Sequence, residues 1–141
     1  MNKTTKELYR ELFELANSAR EGSYCPYSNF AVGAALLTKS GKIYTGMNIE
    51  NSSFTPTVCA ERVAFFRAIA EGEREFDAIA IAGGKRGCEP NEATPPCGVC
   101  RQVMSEFAGS DFKIILSSGD EPHTFTLGEL FPFGFDKDQL T

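Results

Sequence analysis

The sequence contains no tryptophan; its aromatic content is 12 Phe and 4 Tyr, so an aromatic-rich core has to be built from phenylalanine. It contains one histidine, His123, which precedes an alternating strand pattern and reads as a surface residue. No apolar run approaches the roughly 20 residues of a membrane span, since even Phe30–Leu37 closes at Thr38-Lys39. The start Met-Asn-Lys-Thr-Thr-Lys-Glu has neither an apolar h-region nor a small-residue cleavage site, so a cytoplasmic location is expected rather than secretion. A basic excess is missing as well: the formal net charge of −5 offers no electrostatic footprint for a polynucleotide backbone. The even cysteine count of a disulfide framework is also absent. There are five cysteines, and in a reducing compartment clustered thiols are more often metal ligands or catalytic groups.

With 141 residues, 42% hydrophobic and 23% charged, residues 1–141 are expected to form a single domain. A chain of this length buries roughly two thirds of its unfolded surface, enough for a core without disulfide staples. Apolar residues recur at helical spacing over Thr5–Arg20, ending near Gly22. Ala31–Leu37, Ser40-Gly41 and Lys42–Asn48 read as a hairpin, followed by a polar loop over Ile49–Thr57. A second helix runs from Ala60 to Gly72, and Ala78–Ala82 is a small-apolar strand. Lys85–Pro96 is a loop delivering the chain to Cys97, and Cys100–Ala108 is a third helix. Lys113–Leu116 and His123–Thr126 are strands, and Thr126 with Glu129 signs the N-terminus of a last helical turn. This order predicts an α/β fold, a three-layer α/β/α sandwich in which a five-stranded mixed sheet carries helices on both faces.

The chemistry concentrates in Cys59-Ala60-Glu61 and in Pro96-Cys97-Gly98-Val99-Cys100. Both lie where a loop hands over to a helix, and unpaired N–H groups at a helix N-terminus favour thiolate, the form that binds metal. Three thiolates are one short of a closed structural zinc site and match the three protein ligands plus open position of catalytic zinc. Glu61 follows Cys59 by two residues, so both face one pocket only if Cys59 lies at the helix cap and is itself non-helical. A carboxylate so placed can accept a proton from water that a zinc ion acidifies and pass it on. A guanidinium donating to a ligand sulfur would offset the excess negative charge; Arg62 and Arg101 both qualify, and Arg62 is favoured.

Cys59-Ala-Glu-Arg62 with Pro96-Cys-Gly-Val-Cys-Arg-Gln102 resembles the zinc cytidine deaminases of the short, homotetrameric, three-cysteine type, whose zinc chemistry and signature are those of the zinc deaminases at large. Tyr24-Cys-Pro-Tyr-Ser-Asn-Phe30, Val32-Gly-Ala-Ala-Leu36, Asn48-Ile-Glu-Asn51, Phe76–Ala82 and Leu130-Phe-Pro132 fall in the same order and spacing, covering nearly the whole chain. The chain has Phe54 and Pro95 where relatives of this type more often carry Tyr and Ser.

The resemblance implies hydrolytic deamination of cytidine and 2′-deoxycytidine, one zinc held by Cys59, Cys97 and Cys100, and Glu61 as the proton carrier between water, ring N3 and the leaving amine. It further implies that the Ala60 N–H meets the pyrimidine 2-oxo group and that Asn48 and Glu50 hydrogen-bond the ribose 3′-hydroxyl. An i, i+2 pair in an extended segment presents both side chains to one side, as such a clamp needs. By the same resemblance Phe30 packs against the nucleoside and Phe135 reaches a neighbouring subunit's pocket in a homotetramer. The Phe-rich C-terminus Phe131-Pro-Phe-Gly-Phe135 also favours self-association.

Other readings stay open from the residues. The three cysteines would form a structural zinc knot if Cys25, Cys88 or His123 supplied a fourth ligand, although Cys25 reads as a packing residue and Cys88 as a surface thiol. Cys97 and Cys100 alone would suit a redox module. A deaminase of a cytosine-bearing antibiotic such as blasticidin S would share the cysteine and glutamate motifs.

Overall fold

A computed structural model describes residues 3–119 and 121–141. α1 (Thr5–Ala19) opens on a capping box: the Thr4 hydroxyl accepts from the Glu7 N–H, and the Glu7 carboxylate accepts from the Thr4 N–H. It tightens into a 3₁₀ turn at Arg20–Gly22. β1 (Phe30–Thr38) and β2 (Ile43–Met47) form an antiparallel hairpin whose turn places Gly41 at φ 94°. α2 (Ala60–Ala70), β3 (Phe76–Lys85), α3 (Gly98–Phe107), β4 (Lys113–Ser118), β5 (Glu121–Thr126) and the single-turn α4 (Leu127–Leu130) follow. The described residues include no helix long and apolar enough to cross a membrane.

The sheet order is β2-β1-β3-β4-β5, with β3 and β4 parallel and the other neighbours antiparallel. Parallel neighbours need a crossover, and α3 provides it. Strand alternation sorts the core into two layers. Ala35, Leu37, Ala78, Ala80, Ala82 and Ile115 meet Leu12 and Ala16 of α1. Ala34, Leu36, Ile79, Ile81, Ile114 and Leu116 meet α2 and α3 on the opposite face. On that second face Phe65 of α2 is fully buried, with its ring centroid 5.0 Å from Phe76, 5.9 Å from Phe112 and 6.4 Å from Phe107. These phenylalanines fill the space for which the sequence has no tryptophan, and they pin α2 to α3. The three-layer α/β/α arrangement is therefore the one expected.

Element ends differ from the sequence reading where glycine or a cap decides them. β3 extends beyond Ala78–Ala82 because Gly83, Gly84 and Lys85 continue pairing with Val32, Ala31 and Phe30, although glycine is a poor strand former. α3 starts at Gly98 rather than Cys100, since Cys97 is its N-cap. β4 and β5 each extend toward their connecting turn.

Two glycines allow helices to lie directly on the sheet. A Cβ at Gly33 would strike the backbone of α1 at Ala16 and come within 2.9 Å of Arg20 N. A Cβ at Gly46 would lie 2.6 Å from Ala64 N and closer still to Ala60 O. Gly46 thus sets the height of the first turn of α2 above β2. Gly46→Ala is expected to lower stability by about 1–3 kcal/mol or more through this overpacking, whereas Gly41→Asn, with open space around it but a φ of 94°, should cost less, since it adds backbone strain alone and Asn is among the residues that best tolerate positive φ. Chemical denaturation of both variants checks the contrast, and equal midpoints would refute it.

Candidate active site

The first turns of α2 and α3 converge. Cys59 (φ −77°, ψ 156°) caps α2 and Cys97 (φ −69°, ψ 170°) caps α3; both are extended, and neither side chain caps its own helix. Cys59 therefore has the non-helical cap conformation that the Cys-Ala-Glu spacing requires. Cys100 lies in the first turn of α3 and is fully buried, while Cys59 is half-buried and Cys97 exposed. The three Sγ atoms lie within 4.8 Å of one another, with Cys59 and Cys97 3.6 Å apart.

Around a tetrahedral zinc with bonds of about 2.3 Å, thiolate sulfurs stand about 3.8 Å apart. The spacing and the soft donor set fit zinc. Among the described residues no fourth Cys, His, Asp or Glu joins the group. Cys25 is buried elsewhere, accepting from Arg86 at 3.3 Å, and Cys88 and His123 are exposed. A closed structural knot would lack its fourth ligand, whereas an open position suits catalysis.

The thiols share their protons unequally. A hydrogen bond from Cys100, supported by Arg62 and Cys97, pushes the Cys59 pKa down to about 5. The same bond, together with burial, pushes the Cys100 thiol up. Arg62 donates from Nη2 to Cys59 Sγ at 3.5 Å. Burial alone would lower the Arg62 pKa, but its hydrogen bonds to Cys59 and Cys100 raise it on balance. Arg101 turns away, donating from Nε to Pro96 O at 2.7 Å and from Nη1 to Leu130 O, so it braces the loop that carries Cys97 against α4. Between the two arginines considered, the contact with the sulfurs belongs to Arg62.

Glu61, in the first turn of α2, is 4% exposed. Burial first, then the negative charge of Cys59, push its pKa up to about 7. Ala60 is the first helical residue, so its N–H belongs to the set a helix leaves unpaired, and the residue has no exposed surface.

A second polar cluster joins the segment that follows β2 to β1 and the segment before it. Asn48 Oδ1 accepts from Val32 N–H at 2.9 Å and from the Ser23 hydroxyl, while Nδ2 donates to Phe30 O at 2.9 Å. Glu50 Oε1 accepts from the N–H groups of Tyr27 (2.9 Å) and Ser28 (3.2 Å), and Oε2 accepts from the Ser28 hydroxyl. Both side chains thus reach the 27–32 segment, the same-side geometry expected of an extended i, i+2 pair. An amide has two N–H donors, and a carboxylate has about four acceptor sites. Counting the partners leaves one N–H on Asn48 and one lone pair on Glu50 Oε2. A single hydroxyl, which both accepts and donates, complements that remainder.

Phe30 is 38% exposed beside this cluster and Phe54 is 78% exposed. Phe135 is half-exposed, and its carbonyl accepts from Gln102 Nε2 of α3 at 2.7 Å. Its backbone is therefore tied to the helix that carries Cys100, while the residue stays half-exposed.

A family model described as the cytidine and deoxycytidylate deaminase zinc-binding region matches residues 6–116. The chain belongs to this family. It carries a three-cysteine group suited to the family's zinc-binding region, and zinc is its cofactor. It is 44% identical over 133 residues to a cytidine deaminase of Sporosarcina psychrophila, covering 93% of each chain. The crystal structure of cytidine deaminase from Burkholderia pseudomallei is similar at a TM-score of 0.80 and 44% identity, over 89% of this chain and 97% of that one. A blasticidin-S deaminase of Bacillus cereus is more distant, 34% identical over 109 residues, which is 75% of this chain and 77% of the relative.

Three residues around the deaminase centre carry weight that the sequence reading did not assign. Gly46 seats α2, the Ser23 hydroxyl holds Asn48, and the Ser28 hydroxyl holds Glu50. Ser23 and Ser28 adjoin or lie within the Tyr24–Phe30 block, and that was the available signal. Purified protein is expected to contain about one zinc per chain; alanine at Cys59, Cys97 or Cys100 should lose it, while Cys88→Ala keeps it. Elemental analysis decides, and full retention in any of the three would exclude that residue as a ligand.

The Glu50 carboxyl, held down by the Ser28 hydroxyl and then by the Tyr27 and Ser28 N–H groups, stays ionised below the usual carboxylate range. A lowered folded-state pKa means that its hold on the turn is present above the range where free glutamate titrates and is lost as pH falls through the depressed value. An NMR titration of this carboxyl should show that lowered midpoint; one at or above the free value would refute it.

Proposed function

We propose that this chain, as one catalytic domain over residues 1–141, hydrolyses cytidine and 2′-deoxycytidine to uridine and 2′-deoxyuridine, releasing ammonia. The observation that carries this reading is the buried Glu61 carboxylate in the first turn of the helix that Cys59 caps, beside a three-thiol group with no fourth ligand among the described residues. A structural zinc module has no use for a buried acid that joins none of the ion pairs among the described residues, because burying such a group is unfavourable without a function to perform. A redox dithiol has no use for Cys59 or Glu61.

Zinc held by Cys59, Cys97 and Cys100 supplies the Lewis acidity that brings water toward hydroxide near neutral pH. Glu61 accepts the proton that the attacking water gives up and carries it to ring N3 as the C4–O bond forms; it then takes the proton of the new C4 hydroxyl and gives it to the exocyclic amine as the C4–N bond breaks and the 4-carbonyl forms. One water is consumed and one ammonia leaves. Arg62 donates to ligand sulfur and offsets the charge of three thiolates. The Ala60 N–H meets the 2-oxo group, Phe30 covers the nucleoside, and the N–H and lone pair left on Asn48 and Glu50 grip the ribose 3′-hydroxyl.

The reading extends to a homotetramer with shared active sites, acting in pyrimidine salvage in the cytoplasm. Support comes from the exposed Phe54, Val99, Phe133 and Phe135, apolar side chains that a lone chain leaves in water. Phe135 is the residue proposed to enter the neighbouring site. Free thiols at all five cysteines suit a reducing compartment. A nucleoside is the substrate proposed, rather than a polynucleotide, given the net charge of −5.

Glu61→Gln keeps the shape and removes the proton carrier, so zinc content and subunit assembly should match the parent while kcat on cytidine falls by at least about a hundredfold. Absorbance of cytidine, metal analysis and solution mass report the three quantities together. Undiminished turnover would assign the proton transfer to another group, and zinc-replete parent protein inert on both nucleosides would refute the activity itself.

A further inference from the structure

The proposed reaction leaves one part of the polar cluster without a role, the bend that joins Tyr27 to Phe30. Ser28 stands at its centre. Its hydroxyl donates to Glu50 Oε2 and accepts from the Phe30 N–H at 3.0 Å, so one oxygen ties an acid to the backbone of the neighbouring aromatic residue. Asn29, between them, is held at φ 58°, a left-handed conformation uncommon for residues other than glycine. That conformation is clamped from both sides: the Asn29 N–H donates to Cys25 O at 3.0 Å and its carbonyl accepts from Arg86 N–H at 2.9 Å. The Phe30 carbonyl in turn accepts from Asn48 Nδ2. Glu50, Phe30 and Asn48 therefore lie on one hydrogen-bonded path, and the Ser28 hydroxyl is the link between the first two.

No cation pairs with Glu50 among the ion pairs of the described residues. Its carboxylate is oriented by neutral donors alone. Two of these, the N–H groups of Tyr27 and Ser28, fix Oε1. The third, the Ser28 hydroxyl, is the one partner found on Oε2 among the described residues, and it occupies one of that oxygen's two lone pairs. Which lone pair stays free for a ligand thus depends on that hydroxyl.

We propose that Ser28 is a positioning residue for sugar recognition: its hydroxyl turns the Glu50 carboxylate so that the free lone pair on Oε2 and the free N–H on Asn48 meet the same sugar hydroxyl. This rests on the reading of Asn48 and Glu50 as the clamp on the ribose 3′-hydroxyl. Alanine at Ser28 removes the donor to Glu50 and the acceptor for Phe30 N–H together. Threonine keeps both.

The test uses zinc-loaded enzyme and two substrates with the same base, cytidine and 3′-deoxycytidine, and reads the ratio of their kcat/KM values. In Ser28→Ala the ratio should fall about tenfold, as expected for loss of a hydrogen bond that orients a charged group, with the change in KM for cytidine rather than in kcat. Ser28→Thr should retain the parent ratio. Glu50→Gln should lower it too, and the Ser28→Ala/Glu50→Gln pair should lower it no further, because the two act through one contact. If Ser28→Ala weakens both substrates equally, or the double variant is additive, Ser28 serves the fold alone and the proposal is overturned while the clamp stands. If Glu50→Gln leaves the ratio unchanged, the clamp itself is wrong and the proposal falls with it. Should Ser28→Ala fail to fold, Ser28→Cys, similar in size but a weak donor, replaces it, and a parent ratio there overturns the proposal.

Discussion

Three thiols within 4.8 Å of one another cannot all be ionised without a cation among them, and the molecule is arranged around that constraint. Two helix N-termini point at the sulfurs, each contributing unpaired N–H groups and the positive end of its dipole. Arg62 adds a guanidinium from the side of α2. Ordinary N-cap residues would have used their side chains to satisfy these N–H groups; cysteine leaves them unused by a side chain and offers its sulfur instead. The cluster is held from outside by packing: Gly46 lets α2 rest on β2, the Phe65 group locks α2 to α3, and Arg101 ties the Pro96 carbonyl to α4.

The polar cluster around Asn48 follows the opposite logic. There the groups neutralise one another with short-range hydrogen bonds, and what counts is the remainder. Asn48 and Glu50 together have three free sites fewer on each side than an isolated amide and carboxylate would offer to solvent, so little is left for a ligand to choose from. A remainder of one donor and one acceptor is complemented by a hydroxyl and left unpaired by an apolar group. The two centres have different supports: the thiols sit on the first turns of α2 and α3, and Asn48 and Glu50 follow β2 and bond to β1 and the segment before it.

Much of this is legible in the sequence alone. The Cys59-Ala60-Glu61 spacing demanded an extended cap, and the cap is extended. Ala31–Leu37 and Ala78–Ala82 read as continuous apolar runs, and both strands are buried on two faces, between two core layers. Thr126 and Glu129 signed a capping box that is present. Legibility stopped where a residue acts through space on a partner distant in sequence. Ser28 is one small polar residue in a loop until Glu50, 22 positions away, lies against it. Gly83 and Gly84 read as a strand end, yet they continue the sheet because β1 supplies their partners.

By itself the sequence determined that three thiols and Glu61 stand at two helix starts, together with the element order and the class of sheet, because each depends on local spacing: loops handing over to helices, apolar runs bounded by turns, capping pairs three residues apart. The tertiary structure alone decided which arginine reaches the sulfurs, how many hydrogen-bonding sites Asn48 and Glu50 retain, and how closely α2 can approach β2. These depend on distances between segments far apart in the chain. Such distances follow from how the whole core packs, and no single stretch of sequence encodes them.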